Sequence, residues 1–439
     1  MDKFADRLGY IAQKLTSNIY ISTIKDSFIQ TIPFTILGSI GVLLGSVVFS
    51  TNGLGGIKGF ESVLAVAPLF TKLNYATMNI LALIIAFSIG RNLAKHHNRE
   101  GTYEGLLSLV SFILVSPTTV TAVFGEETQV VANVLSTNVT SSKGLFVAMI
   151  VGMLSVSFFC RLTKVEKLRI KLPDAVSPNV AKTFSDLIPT IIVGLVITTV
   201  AFVFELLVKQ NISEFIFNIL QRPVTIAFEH PLGIIFAAFF SGLLWICGLH
   251  GASIVGGIIT PIMLASLQTN MDLVANGAQA TEIMAKPFWN LFATQGGSGC
   301  TISLLIAIFL ISKRDDDRAI AKLAVAPGFF GINEPVIFGL PIVMNPVLAI
   351  PFIIVPIVSC GIGYAAMYFG FAGLIISDVP WCLPPVVNGF IATGGNIGMV
   401  LTQIACIVVG TVIWMPFVKI RNTEAANANK TLGDMAVEN

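Results

Sequence analysis

Long apolar runs separated by short polar breaks set the pattern of this chain. In the first half the runs cover residues 31–49, 75–90, 105–124, 144–160 and 187–208. Each approaches the roughly 20 apolar residues that an α-helix needs to cross a hydrocarbon core of about 30 Å. The second half adds runs at 231–249, 254–267, 290–311, 347–371 and 397–418. About ten transmembrane helices are therefore predicted, in an all-α polytopic membrane protein. Three further segments, 250–260, 327–346 and 380–396, are apolar but broken by Gly and Pro. Irregular backbone at membrane depth persists only where protein or a wet cavity satisfies its freed amides, so re-entrant hairpins are expected there. Residues 211–228 mix Glu214, Gln221 and Arg222 with Phe215, Ile216, Phe217, Ile219 and Leu220. That mixture predicts an interfacial amphipathic helix, and it divides the chain into 1–210 and 211–439.

Composition agrees with a bilayer environment. Of 439 residues 54% are hydrophobic and 11% charged, against about 25% charged in a soluble domain. The mean hydropathy is +0.84. A net charge of +2 gives no field for nucleic acid. The basic residues mark alternate loops instead: Lys3, Arg7, Lys14 and Lys25, then Arg91, Lys95 and Arg99, then Arg161, Lys164, Lys167, Arg169, Lys171 and Lys182. The intervening loops hold only Lys58, Lys72 and Lys143. By the positive-inside bias both termini, with Lys313, Arg314 and Arg318, are expected in the cytoplasm. Residues 1–25 have no short apolar core with a cleavage site, so no removable signal peptide is expected. The Cys residues at 160, 247, 300, 360, 382 and 406 form no C-x-x-C and meet no His at ligand spacing. Buried apolar thiols are expected, with neither metal nor cofactor.

Three motifs carry the candidate chemistry. Glu334 stands in a run from Pro327 to Pro341 made of apolar residues and helix breakers. An ionisable group there costs about 2.5–3.5 kcal/mol at mid-membrane, which argues for a function; the plain alternative is a loop-tip Glu in water. His250 lies in Trp245-Ile-Cys-Gly-Leu-His-Gly. A neutral imidazole both donates and accepts hydrogen bonds, as a sugar hydroxyl requires, although a lone His also serves simple packing. Residues 290–300 read Asn-Leu-Phe-Ala-Thr-Gln-Gly-Gly-Ser-Gly-Cys. Gln295, Ser298 and glycine-exposed amides suit a neutral polyol, and a small-residue helix contact is the alternative. The Gly-Gly-Ser-Gly lacks the Lys-Ser/Thr of a phosphate-binding P-loop, which disfavours an ATP-driven pump. Trp245, Trp289 and Trp381 are candidates for stacking on sugar rings and equally for interface anchors. His96 and His97, beside Lys95 and Arg99, are expected in solvent.

The Gly-Ile-Asn-Glu-Pro at 331–335, the Leu-His-Gly at 249–251 and the Thr-Gln-Gly-Gly-Ser-Gly at 294–299 resemble the membrane IIC permease of the phosphotransferase lactose, cellobiose and diacetylchitobiose family. The likeness runs over nearly the whole chain and is greatest to diacetylchitobiose and cellobiose permeases. It implies a homodimer in a bacterial cytoplasmic membrane, with residues 1–210 as the dimer face and 211–439 carrying a β-linked disaccharide across. It further implies that His250 and Glu334 hold the sugar hydroxyl due for phosphorylation. Asn333 shares the Glu334 motif, and Asn388 joins Asn333 and Gln295 as a neutral group for acetamido or hydroxyl contacts. Some relatives carry a fused IIB domain with a phosphorylatable Cys. This sequence stops soon after Lys419 and Arg421, so a separate phosphorylated IIB subunit is the expected donor, and the phosphoryl-carrying residues are expected on partner chains. The competing reading is a proton- or sodium-coupled sugar transporter, in which Glu334 would be the coupling group. A membrane transferase is disfavoured because no second carboxylate lies near Glu334.

Overall fold

The computed structural model describes residues 17–437 apart from 52, 125, 126, 171, 174, 175, 341 and 344. Lys3, Arg7, Lys14 and Lys171, and most of the N-terminal stretch expected to be uncleaved, lie outside the described residues. The architecture is helical. Among the described residues eight helical stretches are long and apolar enough to cross a membrane. In the first half they are α1 (Ile19–Val48), α2 (Glu61–His96), α4 (Ser142–Leu162) and α5 (Val180–Val208). Between α2 and α4 sits a shorter apolar helix, α3 (Thr102–Val115). The linker helix α6 (Ile212–Phe228) meets α7 (Pro231–Ile246) at a 79° bend. The remaining spanning helices are α8 (Gly251–Ala275), α9 (Trp289–Ile311), α12 (Val347–Tyr368) and α14 (Ile397–Glu424). Two intervening helices are α10 (Asp315–Phe329) and the short α11 (Glu334–Gly339), and a third, α13 (Val387–Ala392), precedes α14.

Two sequence readings are corrected. The run at 105–124 does not continue as helix beyond Val115, because Pro117 pushes Ser116 to extended backbone (φ −85°, ψ 141°). The β-branched Thr118 to Thr121 then favour strand. Thr119–Phe124 pairs antiparallel with Glu127–Ala132 in a two-stranded hairpin. Segment 250–260 is no hairpin either, since it lies in the first turns of the continuous α8. Gly251 there serves close packing rather than a break. A Cβ on Gly251 would fall 2.0 Å from the Ser241 carbonyl oxygen.

The break comes instead inside the predicted span 290–311. Gly296, Gly297 and Gly299 have φ of +66°, +107° and +75°, values that glycine adopts without strain. They split α9 into a first turn and a helix over Thr301–Ile311. Of the segments expected as hairpins, 327–346 is helical to Phe329 and again from Pro346, and its other described residues, like those of 380–396, are irregular apart from the brief α11 and α13.

Each half has its own apolar packing. Leu93, Leu107, Val156, Phe159 and Val193 form one cluster in the first half, and Trp245, Leu304, Leu305, Phe352 and Trp414 form one in the second. A larger cluster joins the halves where Phe28 and Val42 of α1 reach Ile254, Ile259 and Met263 of α8. Buried charge is paired. Arg99 bonds both Glu104 and Asp186 and lies 5.1 Å from the Phe159 ring centre. Cys160, Cys300, Cys360 and Cys406 are buried, whereas Cys247 is half-buried and Cys382 exposed, against the expectation for all six. His97 also departs from expectation. Its Nε2 is enclosed with no hydrogen-bond partner among the described residues, and burial, then Lys164, His96 and Arg161, push its pKa down.

Candidate functional site

The turn between α7 and α8 positions the imidazole. Gly248 at φ +80° reverses the chain, and His250 caps α8, its Nδ1 accepting the Ser253 amide at 3.2 Å. With Nδ1 engaged as acceptor, a neutral ring carries its proton on Nε2, which is left free to donate. The Trp245 ring stands 4.4 Å from the imidazole, centroid to centroid, and limits how the ring can tilt.

Glu334 enters from a different part of the chain. It opens α11, where Pro335 lacks the amide that a first turn would leave unpaired anyway. Its carboxylate is exposed and has no hydrogen-bond or ion-pair partner among the described residues. Behind it the buried Asn333 donates from Nδ2 to the Ser298 carbonyl at 2.7 Å. That bond ties the Glu334 turn to the glycine loop of α9. Gly297 permits the approach, since a Cβ there would fall 2.6 Å from Asn333 Cβ.

These pieces face one cavity of about 400 Å³, within the range of small-molecule sites. His250, Glu334, Asn333, Ser298, Trp289 and Trp381 all line it. Trp289 is largely buried and offers a fixed wall, while Trp381 is 54% exposed. The mix of aromatic faces, hydroxyls, one imidazole and one carboxylate can bind a neutral polyol by stacking and hydrogen bonding.

Three predicted residues lie elsewhere. Trp245 is buried behind His250 and does not border the cavity. Gln295 and Asn388 are buried around Gln403: Gln295 Nε2 donates to the Gln403 carbonyl at 3.1 Å, and Asn388 Oδ1 accepts from Gln403 Nε2 at 3.0 Å. Gln403 Oε1 in turn accepts the amide of Val386, a β-branched residue held at φ +76°. The cavity wall also includes Ser253, Gly256 and Thr260, which sequence reasoning missed, and Asn290 and Thr294 of the 290–300 motif. The first three recur at helical spacing on α8, a small and polar stripe that was available as a signal.

A buried ion pair holds the Trp381 loop against α1. Lys286 bonds Asp378, and Asp378 Oδ2 also accepts from Thr35 at 2.8 Å. The Asp378 amide donates to Ser39 Oγ at 2.7 Å.

Comparison with known proteins places this arrangement in context. Residues 25–356 match the family model described as "Phosphotransferase system, EIIC". The chain is 33% identical to the oligo-beta-mannoside-specific EIIC component of Bacillus subtilis, over 95% of this chain and 93% of that protein. Identity is also 33% to the cellobiose-specific EIIC component of Geobacillus stearothermophilus, with 97% and 96% covered. The crystal structure of the transporter ChbC, the IIC component of an N,N'-diacetylchitobiose-specific phosphotransferase system, superposes with a TM-score of 0.88 at 32% identity. That match covers 96% of this chain and 97% of ChbC.

Proposed function

Since the chain belongs to the phosphotransferase system EIIC family, we propose that its cavity receives a β-linked disaccharide built of glucose or N-acetylglucosamine units and hands it to a phosphorylated IIB subunit. The observation that carries this reading is the convergence of His250 and Glu334, from two separate turns, on one cavity walled by Trp289 and Trp381. The Glu334 carboxylate accepts the hydroxyl proton of the sugar, and His250 donates from Nε2 to the same oxygen. A bond to a charged acceptor is about twice as strong as a neutral one, so Glu334 dominates the grip. By family resemblance the phosphoryl group rides on a cysteine of the IIB chain. The names borne by the similar proteins support the substrate class. Cellobiose and diacetylchitobiose differ by acetamido groups, for which Asn333, Asn290 and Ser298 in the cavity wall offer neutral partners.

The working unit in this reading is a homodimer in the bacterial cytoplasmic membrane, with both termini cytoplasmic. Residues 1–210 form its fixed face, and 211–439 rock against it.

Calorimetry on Glu334→Gln tests the reading. The variant keeps shape and loses charge, so at about 1.5–3 kcal/mol for a bond to a charged group, binding should weaken roughly tenfold to 150-fold. Donor-free exchange of disaccharide should fall in parallel. Normal binding and exchange by the variant would remove Glu334 from this role, and a preference for monosaccharide over diacetylchitobiose, cellobiose and lactose would remove the substrate class.

A further inference from the structure

Among the described residues, no Lys or Arg lines the cavity that contains His250 and Glu334. A phosphoryl group delivered there would bring its negative oxygens up to a carboxylate. Phosphoryl transfer depends mainly on positioning and on cations that offset such charge. The site described so far holds the sugar but lacks the group that the transfer needs.

A second cavity, of about 280 Å³, adjoins the first and shares His250 and Ser253 with it. Its other walls are Ile21, Ser22, Lys25, Leu249 and Ile254, so Lys25 is its cation. The Lys25 stem runs along α8 beside Gly257, where an added Cβ would sit in ordinary contact 3.5 Å from Lys25 Cβ. Among the described residues the ammonium has no close ion-pair partner. Its contact with Asp26 is 3.7 Å long, and both side chains are more than two-fifths exposed at 41% and 44%, a pairing worth little in water. Asp26 is also engaged by Ser22 Oγ at 3.3 Å.

We propose that Lys25 is the cation that meets the phosphoryl group as it passes from the partner subunit to the sugar hydroxyl held by His250 and Glu334. This rests on the functional reading above, with the donor a phosphocysteine thioester of phosphate. In the step, the sugar oxygen forms a bond to phosphorus and the phosphorus–sulfur bond breaks. Its electron pair leaves on the donor sulfur as thiolate. The hydroxyl proton moves to the Glu334 carboxylate and then to water. Lys25, which lines the adjoining cavity with His250, lies against the phosphoryl oxygens throughout. Without phosphate in place it has no part in gripping the sugar.

The test uses the full chain in lipid vesicles with purified phosphorylated IIB subunit and labelled cellobiose or diacetylchitobiose. In Lys25→Gln, sugar affinity and donor-free exchange should stay at wild-type values. Turnover to sugar phosphate at saturating donor should fall about 100-fold or more, the usual effect of losing one charge-stabilising group. Lys25→Arg should restore most of it. Wild-type turnover by Lys25→Gln would overturn the proposal and place the cation on the donor. Loss of sugar binding in step with turnover would also overturn it, as would a loss confined to the KM for the donor, which marks docking alone. The wild-type sample separates the two levels: if it makes no sugar phosphate, the functional reading fails and this inference falls with it.

Discussion

Glu334 stands out in the sequence because a carboxylate is expensive in its setting, His250 because an imidazole can both donate and accept, and both face one cavity. A carboxylate between apolar runs and helix breakers has few structural uses, and the structure leaves it exposed and unpaired on a cavity wall. Gln295 and Asn388, expected as neutral sugar contacts, lie away from that cavity. A polar side chain in an apolar segment needs a partner, and theirs is Gln403, more than a hundred positions from Gln295 and unrelated to either motif. Asn333 has a binding-site address and a structural bond at once. Asn333→Ala would leave the Ser298 carbonyl buried without its donor, at a cost of about 1–3 kcal/mol. Thermal unfolding should register that loss, and sugar affinity should fall as the two loops separate; an unchanged melting temperature would contradict the bond's importance. His97 gives a pH prediction. Its ring holds a proton less well folded than unfolded. Below the ordinary imidazole value of about 6.5, the unfolded chain therefore carries more protons, and stability rises with pH across the window down to the folded pKa. Acidification through that window should lower the melting temperature, while the range above it should be flat. His97→Asn should show a weaker dependence.

Element by element, the spans were readable from length and hydropathy, and the irregular backbone only in part. Pro117 and the β-branched run after it were in the sequence, yet the apolar count at 105–124 outweighed them. The hairpin shows that turn chemistry should have taken precedence. Glycine content alone misplaced the break, because Gly251 is needed for contact with Ser241 while Gly297 and Gly299 are needed for their backbone angles. Gly297→Ala should therefore abolish sugar binding through collision with Asn333 without altering any charge. Gly370→Ala also sits at positive φ, +75°, but has open space around it, so sugar binding should survive. Calorimetry on the pair separates crowding from strain, and equal loss in both would contradict the collision. The Lys286–Asp378 pair could not be read at all, since the residues are 92 positions apart. Lys286→Met would strand the Asp378 carboxylate, whose side chain is 1% exposed, and should cost about 3 kcal/mol. Adding Asp378→Asn should recover part of that in thermal unfolding; a further drop would contradict the pairing.

On the scale of the whole molecule, α5 is the element with least support from its own chain. Only 6% of its most apolar window is buried, and Leu195, Phe202, Leu206 and Leu207 are all exposed. Lipid or a second copy must cover it. The dimer proposed through residues 1–210 gives it a partner, and light scattering of the detergent-solubilised chain should report two copies. A monomer at every concentration would contradict that assembly. The expected split into 1–210 and 211–439 rests on the polar stretch at 211–228, where the structure sets a helix with a sharp bend after it. The joining of the halves was not legible in the sequence, since it depends on α1 meeting α8 and on Asp378 meeting Thr35. The central claim is that this assembly delivers sugar to a phosphoryl donor and does not release it free. Vesicles containing the purified chain, loaded with phosphorylated IIB subunit and given labelled cellobiose or diacetylchitobiose outside, test it most directly. The account predicts that internal label is sugar phosphate when the donor is present, and only equilibrated free sugar when it is absent. Accumulation of free disaccharide driven by a proton or sodium gradient, with no phosphate on it, would contradict the account.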